Sequence, residues 1–445
     1  MSRYESYSAH KDSGVEWIGQ IPEHWMVPAV GHRYEVALGK MLDEKRISGE
    51  HLAPYLRNVD VQWDHVNVQD LPEMDFRPSE RERYRLKAGD LLVCEGGEVG
   101  RAAIWNDQLP ECYYQKALHR LRPTRPDRDC PRFMYYLLHS AVASGIFTDG
   151  GGKSTIAHLP AETLRAYRLP FPDVAEQRDI VRTLDRETIR IDALIAKKTK
   201  FIDLLDKKRQ VLITQSVTKG LNPKAKARSS SYQWMGEIPV HWQIAPLKYV
   251  ARLESGHTPS RQHPEYWENC TVPWFTLADI WRVRKAGQVV VSETAEKVSE
   301  LGLANSSARK LPAGTVILSR TASVGFPAIM GTEMATSQDF GAWICGPRLH
   351  NVYLYYVLLA MRPELDRLMI GSTHKTIYMP DIEAFRCPLP PVEEQRSIAE
   401  YLTRGTQRID TIIAKTRESI ELITRRRSAL ITAAVTGQID LRESA

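Results

Sequence analysis

No C-x-x-C pair occurs in the chain, and its six cysteines (Cys94, Cys112, Cys130, Cys270, Cys345 and Cys387) stand far apart. Cysteines so placed build neither a zinc ribbon nor a disulfide framework, and packing is their expected role. The thirteen histidines are equally scattered, with no H-E-x-x-H and no His/Cys cluster at ligand spacing, so no metal site is expected. No apolar run approaches the roughly 18–20 residues needed to cross a bilayer, and the polar start MSRYESYSAHKDSGVEW does not resemble a signal peptide. A soluble, cytoplasmic protein without membrane contact is the expectation.

Catalytic signatures are also missing. There is no N-P-P-[YF] tetrapeptide and no Gly-rich loop of the kind that holds S-adenosylmethionine, which argues against a self-contained adenine methyltransferase. No P-D…(D/E)-x-K nuclease core is present: Asp206-Lys207-Lys208 has a superficial D-x-K but no companion acid at a suitable distance. No G-x-S-x-G precedes a helix. The stretch GGGKST at 150–155 comes nearest to a phosphate loop, yet the pattern G-x-x-x-x-G-K-[ST] needs a glycine where Phe147 stands. With no catalytic centre and no cofactor expected on this chain, it reads as a reader or scaffold.

What the sequence has is length and repetition. Its 445 residues exceed one hydrophobic core, so two or more domains are expected, and internal repeats are the next thing to look for. VEWIGQIPEHW (15–25) returns as YQWMGEIPVHW (232–242), PYLRNVDV (54–61) as PWFTLADI (273–280), GDLLVCEGGEVGRAAI (89–104) as GTVILSRTASVGFPAI (314–329), and FMYYLL (133–138) as YLYYVL (353–358). The longest match, 174–218 against 392–436, aligns without a gap. The chain is one module written twice. The second copy of GGGKST is GSTHKT, with no triple glycine, so a shared nucleotide site is excluded; Lys153 and Lys375 stay as candidates for nucleic-acid phosphate.

The closing segment of each copy reads as a long helix. Leu184, Ile191, Leu205 and Leu212 recur at multiples of seven, with Ile180, Leu194 and Phe201 on the adjoining seam, and no Pro or Gly interrupts 176–217. Leu402, Ile409, Ile423 and Leu430 hold the same places in the second copy, joined by Ile398 and Ile412. Lys198, Thr416 and Gly405 weaken the seam. At about 1.5 Å per residue each helix would be a rod of about 60 Å, and a pseudo-two-fold relation between copies would pair the two antiparallel. The expected fold class is α/β, in a mixed α+β form: a first globular domain at 1–173, a first spacer helix at 174–218, a Lys/Ser/Pro-rich linker at 219–231, a second globular domain at 232–391 and a second spacer helix at 392–437.

Positions alike in both copies should serve the scaffold, among them Trp25/Trp242, Val99-Gly100/Val324-Gly325, Gln115/Gln338 and Glu176-Gln177-Arg178/Glu394-Gln395-Arg396. Others differ in character: Arg57-Asn58 meets Thr276-Leu277, Glu95 meets Arg320, and Arg101 meets Phe326. Arg, Asn, Gln and Glu each read particular base edges, whereas their exchange leaves a fold largely undisturbed, so the pattern suits two domains reading different DNA sequences. Drift on a solvated surface is the bland alternative. Lys40, Arg46, Arg261, Arg282, Arg284 and Lys285 complete the set of candidate DNA contacts, and the net charge of +6 suits a polyanion. The segment RPSERERYRLK (77–87) reads equally as a phosphate-binding patch or as a solvated face with internal ion pairs. The helix triplets Lys207-Lys208-Arg209 and Arg425-Arg426-Arg427 stand at equivalent places, available to DNA, to an acidic partner or to water.

On these motifs, together with SGHTPS…EYW…VPW and the LPFPDVAEQR and LPPVEEQR that open the helices, the sequence resembles the specificity subunit of type I restriction-modification systems over nearly its whole length. The resemblance implies two target-recognition domains, each reading one half of a bipartite asymmetric site in double-stranded DNA, with the helices fixing the gap between halves. It also implies docking of two methyltransferase subunits, which flip and methylate an adenine in each half, and of restriction subunits in the full complex. S-adenosylmethionine, ATP and Mg2+ would then sit on those partners and not on this chain. A coiled-coil adaptor without DNA readout is the alternative function, and a nucleotide-binding enzyme a distant third.

Overall fold

The apolar runs LLVC and VILS, paired by the repeat, become the central strands of two sheets with the same strand order. In the computed structural model, which describes residues 4–41, 48–147, 158–286, 289–369 and 375–442, the chain divides into two units. One holds residues 1–198 and 418–445, the other 199–417. In the first unit the order is Tyr34–Leu38, Leu118–Pro123, Leu91–Cys94, Ala102–Ile104, antiparallel throughout. In the second it is Ala251–Ser255, Phe340–Cys345, Val316–Ser319, Pro327–Met330, again antiparallel, with Val290–Val291 added in parallel at the edge. The expected mixed α+β form is the one adopted.

Both faces of each central strand are covered, which is why neither run alternates with polar residues. Leu91 and Val93 join the cluster that includes the Pro131–Ala143 helix, while Leu92 and Cys94 point into a second cluster with Trp105 and Tyr114. Val316 and Leu318 likewise face the Asn351–Ala360 helix, and Ile317 faces Phe275 and Phe340. The cysteines are free thiols, with Cys94, Cys112 and Cys387 buried. The repeated Val-Gly pair has a backbone cause: Gly100 and Gly325 have φ of +83° and +86°, and a Cβ at Gly100 would stand 2.6 Å from Phe147 and Val142 side-chain atoms.

The repeated Glu-Gln-Arg opens helices that run Val174–Lys219 and Val392–Val435. Gln177 is fully buried, accepting from Cys130 N at 2.9 Å and donating to the carbonyls of Arg128 (3.3 Å) and Pro172 (3.0 Å). Gln395 repeats this with His350 N (2.8 Å) and the carbonyls of Arg348 and Pro390 (both 2.9 Å). Cys130 and His350 are the cap residues of the helices that cover the sheets, so each glutamine fastens a long helix to its domain. Beside it, Glu176 accepts from Tyr7 (2.8 Å) and from Trp25 Nε1 (3.2 Å). Within the expected linker, Ala227–Ser229 is a strand paired with Glu237–Pro239, just as His10–Asp12 pairs with Gln20–Pro22.

Each unit takes one half of each long helix, and in each the halves run antiparallel. In the first, Ile180 and Leu184 are fully buried in the cluster that holds Ile431, Ala434 and Val435, and Arg427 Nε pairs with Asp192 at 2.9 Å. In the second, Ile398 and Leu402 share a cluster with Ile213 and Val217, Leu205 packs on Ile409 and Ile413, and Arg209 pairs with Asp410. Leu212 and Leu430 are only partly buried, and the next residues, Ile213 and Ile431, are the buried ones. The cause is helical period: a straight helix drifts about 20° per seven residues, about 80° over the four steps from Leu184 to Leu212, close to the ~100° between neighbours. Gly405 is no defect, because a Cβ there would lie 2.8 Å from Leu212 Cδ2. At the equivalent of Gly405 the first unit has Glu187, which together with Ile191, Leu194, Ile423 and Leu430 lines an open cavity of about 720 Å³. No helix among the described residues is long and apolar enough to cross a membrane.

This packing is open to two tests. Gln177→Leu strands the Cys130 N–H and the buried Pro172 carbonyl, while the Arg128 carbonyl keeps the donor of Arg33, so at about 1 kcal/mol each the first unit should lose about 2 kcal/mol in urea unfolding, with Gln395→Leu acting likewise on the second through His350 N and Pro390 O. A loss below about 0.5 kcal/mol would show that the fastening does not hold the helix. The second test concerns His139, whose Nε2 faces Arg427 Nη1 at 3.3 Å and whose Nδ1 has no described partner. Burial, then the Arg427 charge, push its pKa down to about 4 from 6.5. The unfolded chain therefore takes up the proton first, and the stability this neutral histidine contributes above pH 6.5 is lost as pH falls towards 4. His139→Leu, matching Leu359 in the other copy, should flatten the fall of melting temperature across that window; an unchanged slope would contradict the assignment.

Candidate nucleic-acid interface

Of the positions that differ between copies, Arg57-Asn58 and Thr276-Leu277 lie on a turn that both copies build alike. After Leu52–Leu56 and after Val272–Phe275 the chain makes a single 3-10 turn, Asn58–Asp60 and Leu277–Asp279. Its buried aspartate closes the turn from within: Asp60 Oδ2 accepts from Arg57 N at 2.8 Å, and Asp279 Oδ2 from Thr276 N at 3.1 Å. Asp60 and Asp279 are not among the expected site residues, although the shared Asp of NVDV and LADI is their signal.

In the first module Arg57, Asn58 and Arg101 come together. Arg57 lays Nε and Nη2 on the two oxygens of Asp60, each at 2.9 Å, and keeps 40% of its side-chain surface exposed. Arg101 Nη2 donates to the carbonyl of Asn58 (3.0 Å) and to its Oδ1 (2.9 Å), while Nη1 pairs with Glu98 at 3.2 Å. Asn58 Nδ2 in turn donates to Gly96 O at 2.8 Å. The amide is thus oriented from both of its ends, and both guanidiniums are held by carboxylates, which fixes their planes ahead of any ligand.

The second module fills the same places differently. Arg320 donates through Nε to Gln338 O at 2.8 Å, while Glu95, its counterpart, faces His158 at 3.0 Å. Phe326, in the place of Arg101, lies under Arg284 (Cζ to centroid 4.9 Å), which also donates to Ser323 Oγ at 3.3 Å. Exposed Lys375 is brought to the same loop, its carbonyl accepting from Ala322 N at 2.9 Å. Arg284, Arg320 and Lys375 thus surround the Arg320–Gly325 turn. Arg282 stands off it, donating to Glu293 O at 2.7 Å and lying 5.7 Å from the ring of Trp281, which is 53% exposed. Arg261 rests on Trp267 at 4.5 Å, with Glu296 3.7 Å away.

Other candidates are spent inside the fold. Lys40 Nζ donates to Asp75 O and to Glu80 Oε2, both at 2.6 Å, and lies 5.2 Å from the Phe76 ring centroid, an interior tie. In the 77–87 segment Arg81 pairs with Glu111, Lys87 with Glu82, and Arg85 donates to Pro110 O, which makes it the internally paired face. The last member of each helix triplet, Arg209 and Arg427, pairs across the seam, leaving Lys207, Lys208, Arg425 and Arg426 on the exposed side. Arg46, Lys153 and the side chain of Lys285 lie outside the described residues.

Comparison with known proteins agrees with this architecture. A family model described as type I restriction modification DNA specificity domain matches residues 36–202 and again 239–422. The putative type I restriction enzyme MjaX specificity subunit of Methanocaldococcus jannaschii is 24% identical over 434 residues, covering 96% of both chains. The MjaVIII specificity subunit of the same organism is 26% identical, covering 95% of both. Among solved structures, a chain from a study of type I R-M complex assembly and conformational transition superposes with a TM-score of 0.73 at 17% identity, over 96% of this chain and 99% of that one. The HsdS subunit from Thermoanaerobacter tengcongensis gives 0.55 at 18% identity, over 94% and 98%. With both copies matched by the model and the two-module fold shared, this chain belongs to the type I restriction-modification DNA specificity family.

Proposed function

We propose that this chain is the sequence-reading subunit of a type I restriction-modification complex, with each module reading one half of a bipartite, asymmetric site in double-stranded DNA. The observation that carries the reading is a repeated, buried scaffold whose turn residues differ: Asp60 and Asp279 close the same turn, while Arg57-Asn58 stands opposite Thr276-Leu277 and Arg101 opposite Phe326. Donors in the first module suit guanine and adenine edges; Arg284, Arg320 and Lys375 in the second suit phosphate and guanine. The chain itself does no chemistry in this reading. Two methyltransferase subunits dock along the long helices, where Ile189, Phe201, Leu204, Val211 and Leu422 are exposed. Those subunits bring S-adenosylmethionine, and restriction subunits bring ATP and Mg2+. Family membership sets aside the adaptor without DNA readout.

Selection of bound duplexes from a random pool by the chain with its methyltransferase tests this. Two short conserved blocks separated by unselected positions are expected, and a single continuous block would contradict it. Lys375→Ala should weaken binding to all selected duplexes alike and reduce the salt slope by about one. Arg320→Ala should relax one block only, by about 1–3 kcal/mol for each base that the arginine reads.

A further inference from the structure

The first module carries a chain of polar contacts that has no counterpart among the described residues of the second. Arg132, on the Pro131–Ala143 helix, donates through Nε to Asp185 Oδ1 of the first long helix at 2.8 Å. Its Nη2 donates to Asp64 Oδ2 at 2.8 Å, and its Nη1 to the other oxygen of the same carboxylate. The guanidinium lies 4.6 Å from the ring centroid of Tyr135 and 5.0 Å from that of Tyr136, and only 23% of the side chain is exposed. Tyr136 adds a hydrogen bond to Asp185 at 2.6 Å.

Asp64 is the tip of a hairpin, Val61–Gln62 with His65–Val66, and has φ of +58°. Trp63, the other tip residue, packs on His139 and Tyr135 and donates from Nε1 to Glu98 Oε1 at 2.7 Å. Glu98 pairs with Arg101, and Arg101 holds Asn58. An unbroken series of contacts therefore runs from Asp185 on the long helix, through Arg132, Asp64-Trp63, Glu98 and Arg101, to the turn at Asn58.

At the equivalent places the second module has Val352 for Arg132, Thr403 for Asp185 and Phe326 for Arg101. Tyr356 donates to Thr403 Oγ1 at 3.3 Å instead, and a helix, Ile280–Ala286, takes the place of the hairpin. Among the described residues no ionic tie of this kind is present there.

From this asymmetry we propose that Arg132 is a positioning residue for base readout in the first module. It locks the hairpin tip to the long helix and so holds Arg57, Asn58 and Arg101 at a fixed place on the element that sets where this module meets DNA. The inference rests on the reading of the chain as a bipartite DNA reader. Arginine is required because one planar fork must satisfy two carboxylates while stacking on tyrosine; a lysine supplies a point charge for one of them.

The test uses the full chain with its methyltransferase, measuring initial methylation rates on duplexes that carry single-base changes at every position of the selected site. In the unmodified chain, changes in both half-sites should slow methylation; if the sensitive positions do not form two blocks, the reading of the chain fails before Arg132 is considered. Given two blocks, Arg132→Met should reduce discrimination between cognate and changed bases by about tenfold in one half-site and leave the other unaltered. Arg132→Lys should give an intermediate loss in the same half-site, and Asp64→Asn, which keeps the turn, should act on that half-site too. Slower methylation of every duplex with discrimination retained in both halves would show that Arg132 only stabilises the fold and would overturn the proposal, as would unchanged discrimination in all three variants.

Discussion

A buried glutamine at the start of each long helix is the contact on which each module depends. Gln177 and Gln395 each satisfy one backbone N–H and a buried proline carbonyl, that of Pro172 or Pro390, and they do so at the cap of the helix that covers the sheet. Each unsatisfied group there would cost on the order of 1–3 kcal/mol, so the side chain is not exchangeable for an apolar one of similar size. The consequence is mechanical. Wherever the long helix goes, the sheet, and the turn that begins at Arg57 or Thr276, is carried with it.

Much of this is legible in the sequence because the chain supplies its own comparison. Two copies at a nearly constant spacing separate scaffold from variable surface without any other sequence, and Trp25, Gln177, Val99-Gly100 and their partners prove to be burial, capping and backbone positions. The seven-residue spacing locates the helices and the buried Ile180, Leu184, Leu205, Ile398, Leu402 and Ile409, whereas Leu194 and Phe201 on the adjoining seam are exposed. It misplaces Leu212 and Leu430 by one residue, since the heptad pattern presumes 3.5 residues per turn over a length at which the difference from 3.6 accumulates to almost one position.

What the sequence leaves open is partnership across space. Lys40 reads as a loop cation, but Glu80 and the carbonyl of Asp75 reach it from segments distant in sequence. The Arg77–Lys87 segment offers two readings, and only the fold places Glu111 beside Arg81. Nothing in FMYYLL or its flanks announces that Asp64 and Asp185 will converge on the guanidinium of Arg132. Arg57, Asn58 and Arg101 stand out by difference between copies alone; that Arg101 bonds Asn58 beside the Arg57–Asp60 pair is a product of tertiary packing, which brings the loop after Leu91–Cys94, a strand of one sheet, to the turn after Leu52–Leu56, a strand of another.

Like residues hold two modules in the same form, and under the proposed function unlike residues give each its own half of a DNA site. The most direct test of this is the adenine-methylation motif across the genome of a host expressing the chain with its methyltransferase, before and after residues 15–170 are exchanged for those of a relative. One half of a bipartite motif should change while the other half and its base preferences persist. A motif that is indifferent to the exchange, or that changes in both halves at once, would contradict the claim that the modules read independently.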